Sequence, residues 1–94
     1  METEGEGVKR RIYKYVLRLG GELELPVGAE ILCIQTQYNE PTLWALVDPD
    51  APMESRRIRT YGTGGRVPDN LEWLGTFQLD GGGLVFHAFE EVKA

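Results

Sequence analysis

The chain has one cysteine, one histidine and no long apolar run among its 94 residues, and each scarcity removes a class of protein. A single cysteine, Cys33, allows no internal disulfide and no cysteine-rich zinc or iron–sulfur site, so a secreted, disulfide-stapled scaffold is excluded. It lies in an apolar strand pattern and reads as a buried structural thiol. No stretch approaches the ~20 consecutive apolar residues of a membrane span. The opening METEGEGVKRR has no apolar run behind it that would serve as a signal peptide, so the expected location is cytoplasmic. Convincing helical stripes are also missing. The best candidate, around Asn70 to Leu79, is interrupted by Gly75 and Thr76 and leaves room for one turn at Pro68 to Trp73.

What is present is enough apolar material to fold. Hydrophobic residues make up 41% of the chain against a net charge of -5, which separates it from disordered sequences. A chain of this size supports one core and leaves much of its surface exposed, so association into a homo-oligomer is a natural source of further burial. The acidic balance argues against non-specific nucleic-acid binding. The positive charge is nevertheless clustered, at Lys9 to Arg11 and again at Arg56, Arg57 and Arg59.

Residues 1–10 read as a flexible acidic tail and 11–94 as a single β-rich domain. Tyr13, Tyr15, Leu17 and Leu19 alternate with Ile12, Lys14, Val16 and Arg18, a period of two that fits a strand. Gly20-Gly21 reverses the chain, and Glu22 to Pro26 alternates again with Leu23 and Leu25 inward. Ile31 to Tyr38 and Thr42 to Val47, separated by Asn39-Glu40-Pro41, form the clearest hairpin signal. In the first of these, Ile31, Cys33, Gln35 and Gln37 fall on one face. In the second, Leu43, Ala45 and Val47 share a face and Trp44 and Leu46 share the other, so both faces of the hairpin are expected to be covered. Arg56 to Tyr61 reads as an edge or ligand-facing strand because of its arginines. Leu71 to Leu79 reads as a strand bulged at Gly75, and the glycine-rich turn at Asp80 to Gly83 leads into a last strand from Leu84. The fold class is all-β: a compact antiparallel sandwich or partly open barrel of six to seven short strands.

The residues best suited to hold a ligand are Arg57, Arg59 and Tyr61 on one face of a strand, followed by Gly62, Thr63, Gly64, Gly65 and Arg66. Backbone amides in a glycine turn form an anion-binding concavity, guanidinium groups grip phosphate in pairs, and a phenol offers a stacking face. Cross-strand ion pairs account for the same arginines without a ligand. No Gly-Lys-Ser/Thr follows, so this is not a P-loop. His87 reads as a packed histidine bonded to backbone, with a ligand contact as its functional alternative. It lacks the companions that catalysis or a metal would require. Asp48, Asp50 and Asp80 sit beside Pro or Gly and read as turn residues. No catalytic residue, metal site or cofactor is expected.

Taken in order, Tyr13-x-Tyr15, LPVGAEIL at 25–32, WALVDP at 44–49, YGTG at 61–64 and GTFQLDGGGLVFHAFE at 75–90 resemble a family of uncharacterised small proteins. Tailed bacteriophages and prophages are its main source. The resemblance implies a phage accessory protein in the host cytoplasm, and it brings no established activity or functional residue with it. The expected function is non-enzymatic binding of a host or phage protein. The alternatives are sequestration of a phosphate-bearing small molecule, such as a cyclic nucleotide immune signal, and a minor structural role in the virion. Oligomerisation predicts a solution mass by light scattering above the 10.6 kDa of one chain; a monomer at high concentration would contradict it.

Overall fold

A computed structural model describes residues 9–18 and 21–92. The expected tail at 1–8, Leu19 and the first glycine of the expected Gly20-Gly21 reversal lie outside the described residues. Lys9 and Arg10 are exposed and precede the first strand.

Seven strands follow in order: β1 (Arg11–Val16), β2 (Glu22–Pro26), β3 (Glu30–Gln37), β4 (Glu40–Val47), β5 (Met53–Gly62), β6 (Leu71–Leu79) and β7 (Leu84–Glu91). They form two antiparallel sheets, one ordered β1-β4-β3 and one ordered β2-β5-β7-β6, which lie against each other without closing into a barrel. The all-β sandwich is therefore the architecture. No α-helix occurs among the described residues, and Asp69-Asn70 is a turn ahead of β6.

The core follows from alternation. Leu43, Ala45 and Val47 on β4 are fully buried between the sheets and meet Leu25, Ile58, Phe77 and Ala88 from the second sheet. At ~25 cal/mol per Å² of apolar surface removed from water, such contacts supply the main drive for folding. The opposite face of β4 is different. Trp44 and Leu46 are half-buried, and no third layer of described residues covers them, contrary to the two-sided burial expected for the hairpin. Ile12 and Leu32 are exposed beside them.

Two bulges set which side chains face the core. In β3 the register shifts between Ile31 and Cys33, so Ile31 pairs with Ala45 while Cys33 pairs with Trp44 on the outer face. A strict period of two had placed Ile31 and Cys33 together; the extra residue at Leu32 separates them. Cys33 is accordingly half-buried rather than enclosed. In β6 the expected bulge is present, with the register shifting between Trp73 and Gly75. There Gly75 pairs with Ala88 on the neighbouring strand, and a Cβ on it would stand 3.4 Å from the Ile34 Cβ of the facing sheet. The missing side chain lets β6 and β3 approach.

Turn chemistry also departs from the expected boundaries. The β3–β4 hairpin turns on Tyr38 and Asn39, both in the left-handed region with φ of 53° and 60°, as a two-residue I′ turn requires. Glu40 and Pro41 therefore belong to β4, and the Pro41 carbonyl accepts a hydrogen bond from the Leu17 amide. The four residues after β6 turn the chain into β7, and the two hairpin tips are clasped. The Asp80 amide donates to the Asn39 side-chain oxygen at 2.7 Å, and the Asn39 amide group donates to the Asp80 carboxylate at 3.1 Å. Close by, the Thr36 hydroxyl donates to the Gln78 carbonyl.

Leu43→Ala should lower stability by about 2–5 kcal/mol through a cavity between the sheets. Gly75→Val should cost about 1–3 kcal/mol by overpacking against Ile34, with Gly75→Ala much milder. Urea denaturation followed by tryptophan fluorescence measures both. Equal effects of alanine and valine at position 75 would contradict the close approach.

Candidate functional site

The arginine-bearing strand is not outermost. β5 pairs with β2 from Met53 to Arg57 and with β7 from Ile58 to Gly62, so it passes from one neighbour to the other along its length. Of the edge or ligand-facing strand expected, the edge position fails in the sheet order, where β5 stands between β2 and β7, although each of its residues is paired on one side only. The arginines are tolerated here because alternate ones point to opposite faces and each face supplies carboxylates.

Arg56 points inward. Its guanidinium grips both Glu90 oxygens, at 2.5 and 2.8 Å, and donates to the Ala29 carbonyl at 2.8 Å. Both side chains are largely buried. The hydrogen bond and charge of the Glu90 carboxylate raise the Arg56 pKa above its already high ordinary value, so the guanidinium keeps its charge despite its burial. Arg56 thus ties β5 to β7 and to the turn before β3.

Arg57 and Arg59 point outward and are both engaged. Arg57 Nε lies 3.0 Å from Glu22, while Arg59 lies 2.8 Å from Glu91, which also approaches Arg57 at 3.7 Å. The Ser55 hydroxyl donates to Glu22 at 2.7 Å, and this bond, followed by the Arg57 charge, holds the Glu22 carboxyl below its ordinary value. The concavity between Gly21, Glu22 and Arg57 to Arg59 is about 110 Å³, smaller than a nucleotide requires.

Register places the remaining residues beside these arginines. Arg59, Phe89 and Trp73 stand in one row across β5, β7 and β6, and Tyr61, His87 and Thr76 stand in the next. Tyr61 and Phe89 meet edge to face, with ring centroids 5.8 Å apart. Trp73 is 60% exposed. Its indole N–H donates to the Thr76 hydroxyl at 3.3 Å, and Thr76 lies 2.9 Å from His87 Nδ1. The Thr63 hydroxyl sits 3.0 Å from His87 Nε2. If Thr76 accepts from Trp73 and donates to Nδ1, the neutral ring carries its proton on Nε2 and donates it to Thr63. His87 is therefore bonded to two hydroxyls rather than to backbone, as had been expected, and both of its nitrogens are occupied.

The loop after β5 contributes less. Gly62 to Gly65 closes a tight turn through a 3.0 Å bond from the Gly65 amide to the Gly62 carbonyl, with Gly64 at φ 92°. One amide thus points back into the turn. Arg66 is exposed and makes no ion pair with another described residue. Of the nominated set, Arg57, Arg59, Tyr61, Thr63 and His87 share one face, while Gly62, Gly64, Gly65 and Arg66 lie at its margin. Trp73, Thr76 and Phe89 complete that face and were not among the expected ligand residues; the β6 bulge hides the side Trp73 takes, while Phe89 follows from its alternation with His87 on β7. Asp48 caps its own turn, its carboxylate accepting from the Asp50 amide at 3.0 Å. Among the described residues no group of histidine, cysteine and carboxylate side chains is arranged to hold a metal.

The outer face of the second sheet is thus a preformed platform with an aromatic centre and a rim of paired charges. Residues 8–94 match the family described as a domain of unknown function, DUF7352, and the chain belongs to that family. No curated protein and no solved structure matches it.

Glu90→Gln should destabilise the fold by about 1–3 kcal/mol, because it leaves a largely buried guanidinium without its counter-charge. Arg57→Ala and Arg59→Ala, at the exposed pairs, should stay within about 1 kcal/mol. For Glu22, whose folded pKa is depressed, the contribution is present above the ordinary carboxylate value of 4.5 and is lost as pH falls through the lower folded value. Stability titrated from pH 6 downward should therefore fall less steeply in Glu22→Gln than in the parent.

Proposed function

We propose that the chain is a non-enzymatic accessory protein, of the phage class its sequence resembles, that binds a protein partner through the outer face of the four-stranded sheet. The observation that carries this reading is Trp73, 60% exposed and fixed in place by its bond to Thr76. Rigid aromatic side chains contribute large contact area at small entropic cost, and Trp, Tyr and Arg dominate binding energy at protein interfaces. Tyr61 and Phe89 back the indole, and the Arg57, Arg59, Glu22 and Glu91 pairs frame it as a polar rim. A host protein in the cytoplasm is the partner that the phage resemblance suggests. No reacting group is asked for, and His87, held between two hydroxyls, orients the platform.

A second reading is favoured by the gathering of Arg57, Arg59, Tyr61 and His87 on one side: sequestration of a phosphate-bearing small molecule, such as a cyclic nucleotide. It ranks below the first because both guanidinium groups already face carboxylates, so a phosphate would have to displace Glu91.

Affinity capture from infected host lysate, with protein and metabolite readouts, tests both. The protein reading expects a captured protein that is lost with Trp73→Ala while the melting temperature of the variant is unchanged. Capture indifferent to Trp73→Ala, or a nucleotide-induced melting shift abolished by Arg57→Ala and Arg59→Ala with no captured protein, would overturn it.

A further inference from the structure

A second surface lies on the other sheet. β1 stands at the end of the order β1-β4-β3 and pairs with β4 along its whole length, from Arg11 against Val47 to Val16 against Thr42. Among the described residues nothing pairs with its other edge. In an antiparallel ladder alternate residues direct both backbone groups to the same neighbour, so the remaining half of the β1 amides and carbonyls point outward. Five of its six residues are exposed, including Ile12 at 63% and Val16 at 49%.

The charge on this edge is one-sided. Lys9, Arg10, Arg11, Lys14 and Arg18 are half of the ten basic residues of the chain, and no acidic residue lies among them. Arg10 approaches Glu30 only at 3.7 Å, Lys14 bonds the neutral side chain of Gln37, and Arg11 has no ion pair with another described residue. Elsewhere in the second sheet the exposed arginines are matched by carboxylates at 3.0 Å or less. Within β1 neither Arg11 nor Lys14 has a carboxylate partner among the described residues.

We infer that the free edge of β1 accepts an extended acidic segment of a partner protein, which adds to the three-stranded sheet as a fourth, antiparallel strand. Strand addition draws its affinity from the outward backbone groups and its specificity from the side chains that come to lie opposite. Arg11 and Lys14 fall on opposite faces of β1, since Arg11 pairs with Val47 and Lys14 with Trp44. The matching strand therefore carries acidic residues facing Lys14, Arg11 and Arg10, and β-branched residues facing Val16, Tyr15, Tyr13 and Ile12. Read antiparallel to residues 16 to 10, one such strand is Val-Thr-Glu-Thr-Val-Glu-Glu. A second copy of β1 is a poor occupant, because it would set cations against cations. This surface is separate from the aromatic platform, and its occupancy does not depend on the function proposed for that face.

The probe is that seven-residue peptide, capped and fluorescently labelled, measured by anisotropy against the full chain at low and moderate salt. Binding in the millimolar range or tighter is expected, weakening with salt. Slowed amide exchange confined to residues 11 to 16 should accompany it. Methylating alternate peptide nitrogens on the bonding edge, which removes donors and keeps charge, should weaken binding by about tenfold or more, as should Arg11→Glu with Lys14→Glu. If that double variant loses the parent circular dichroism spectrum, Arg11→Gln with Lys14→Gln takes its place. A dodecamer of thymidylate serves as the competing polyanion and should not bind. The inference is overturned by no peptide binding at millimolar concentration, by indifference to N-methylation, or by thymidylate binding that is lost with the same charge substitutions.

Discussion

The contact on which the structure depends is the apolar stripe Leu43, Ala45 and Val47, with no exposed surface, set against the inner face of the second sheet. β4 lies between β1 and β3 in its sheet, so its register positions both. The layers come close where Gly75 of β6 faces Ile34 of β3, and the small Ala45 and Ala88 belong to the same buried cluster. Larger side chains at Phe77, Ile34 and Leu25 fill the space around them. Such a core has little slack, and the outer faces inherit their rigidity from it.

Much of this was legible in the sequence. Alternation identified all seven strands, glycine and proline punctuated them, Leu25 was placed inward, and Leu43, Ala45 and Val47 were placed on one face, though the pattern did not say which of the two faces of β4 is the core. Two things were not legible. A bulge inserts one residue and reverses the meaning of every later odd and even position, so Cys33 and Trp73 came out on faces that a period of two does not give. Pairing partners were the other, because nothing local says that β5 borders β2 along one half and β7 along the other. The arginines alone suggested an edge or a ligand-facing strand, and only the pairing shows β5 flanked by both neighbours.

The candidate site repeats the lesson. Arg57, Arg59 and Tyr61 are two apart along one strand, and their common face could be read directly. His87 joins them because β7 lies beside β5, and Trp73 and Thr76 because β6 lies beside β7. These are long-range facts of topology. The carboxylates that neutralise the arginines come from Glu22 and Glu91, more than thirty positions away.

The clasp between Asn39 and Asp80 joins hairpin tips 41 positions apart, and the neighbouring Thr36 to Gln78 bond spans 42. Each hairpin closes on its own short loop, but the seam between them returns no free energy until both exist, because the loop-closure entropy must be met first. The two hairpins are local contacts, whereas this seam, like the β1–β4, β2–β5 and β5–β7 pairings, joins distant parts of the chain. The left-handed backbone at Tyr38, Asn39 and Asp80 is then the conformational commitment each hairpin makes before the other has arrived to hold it.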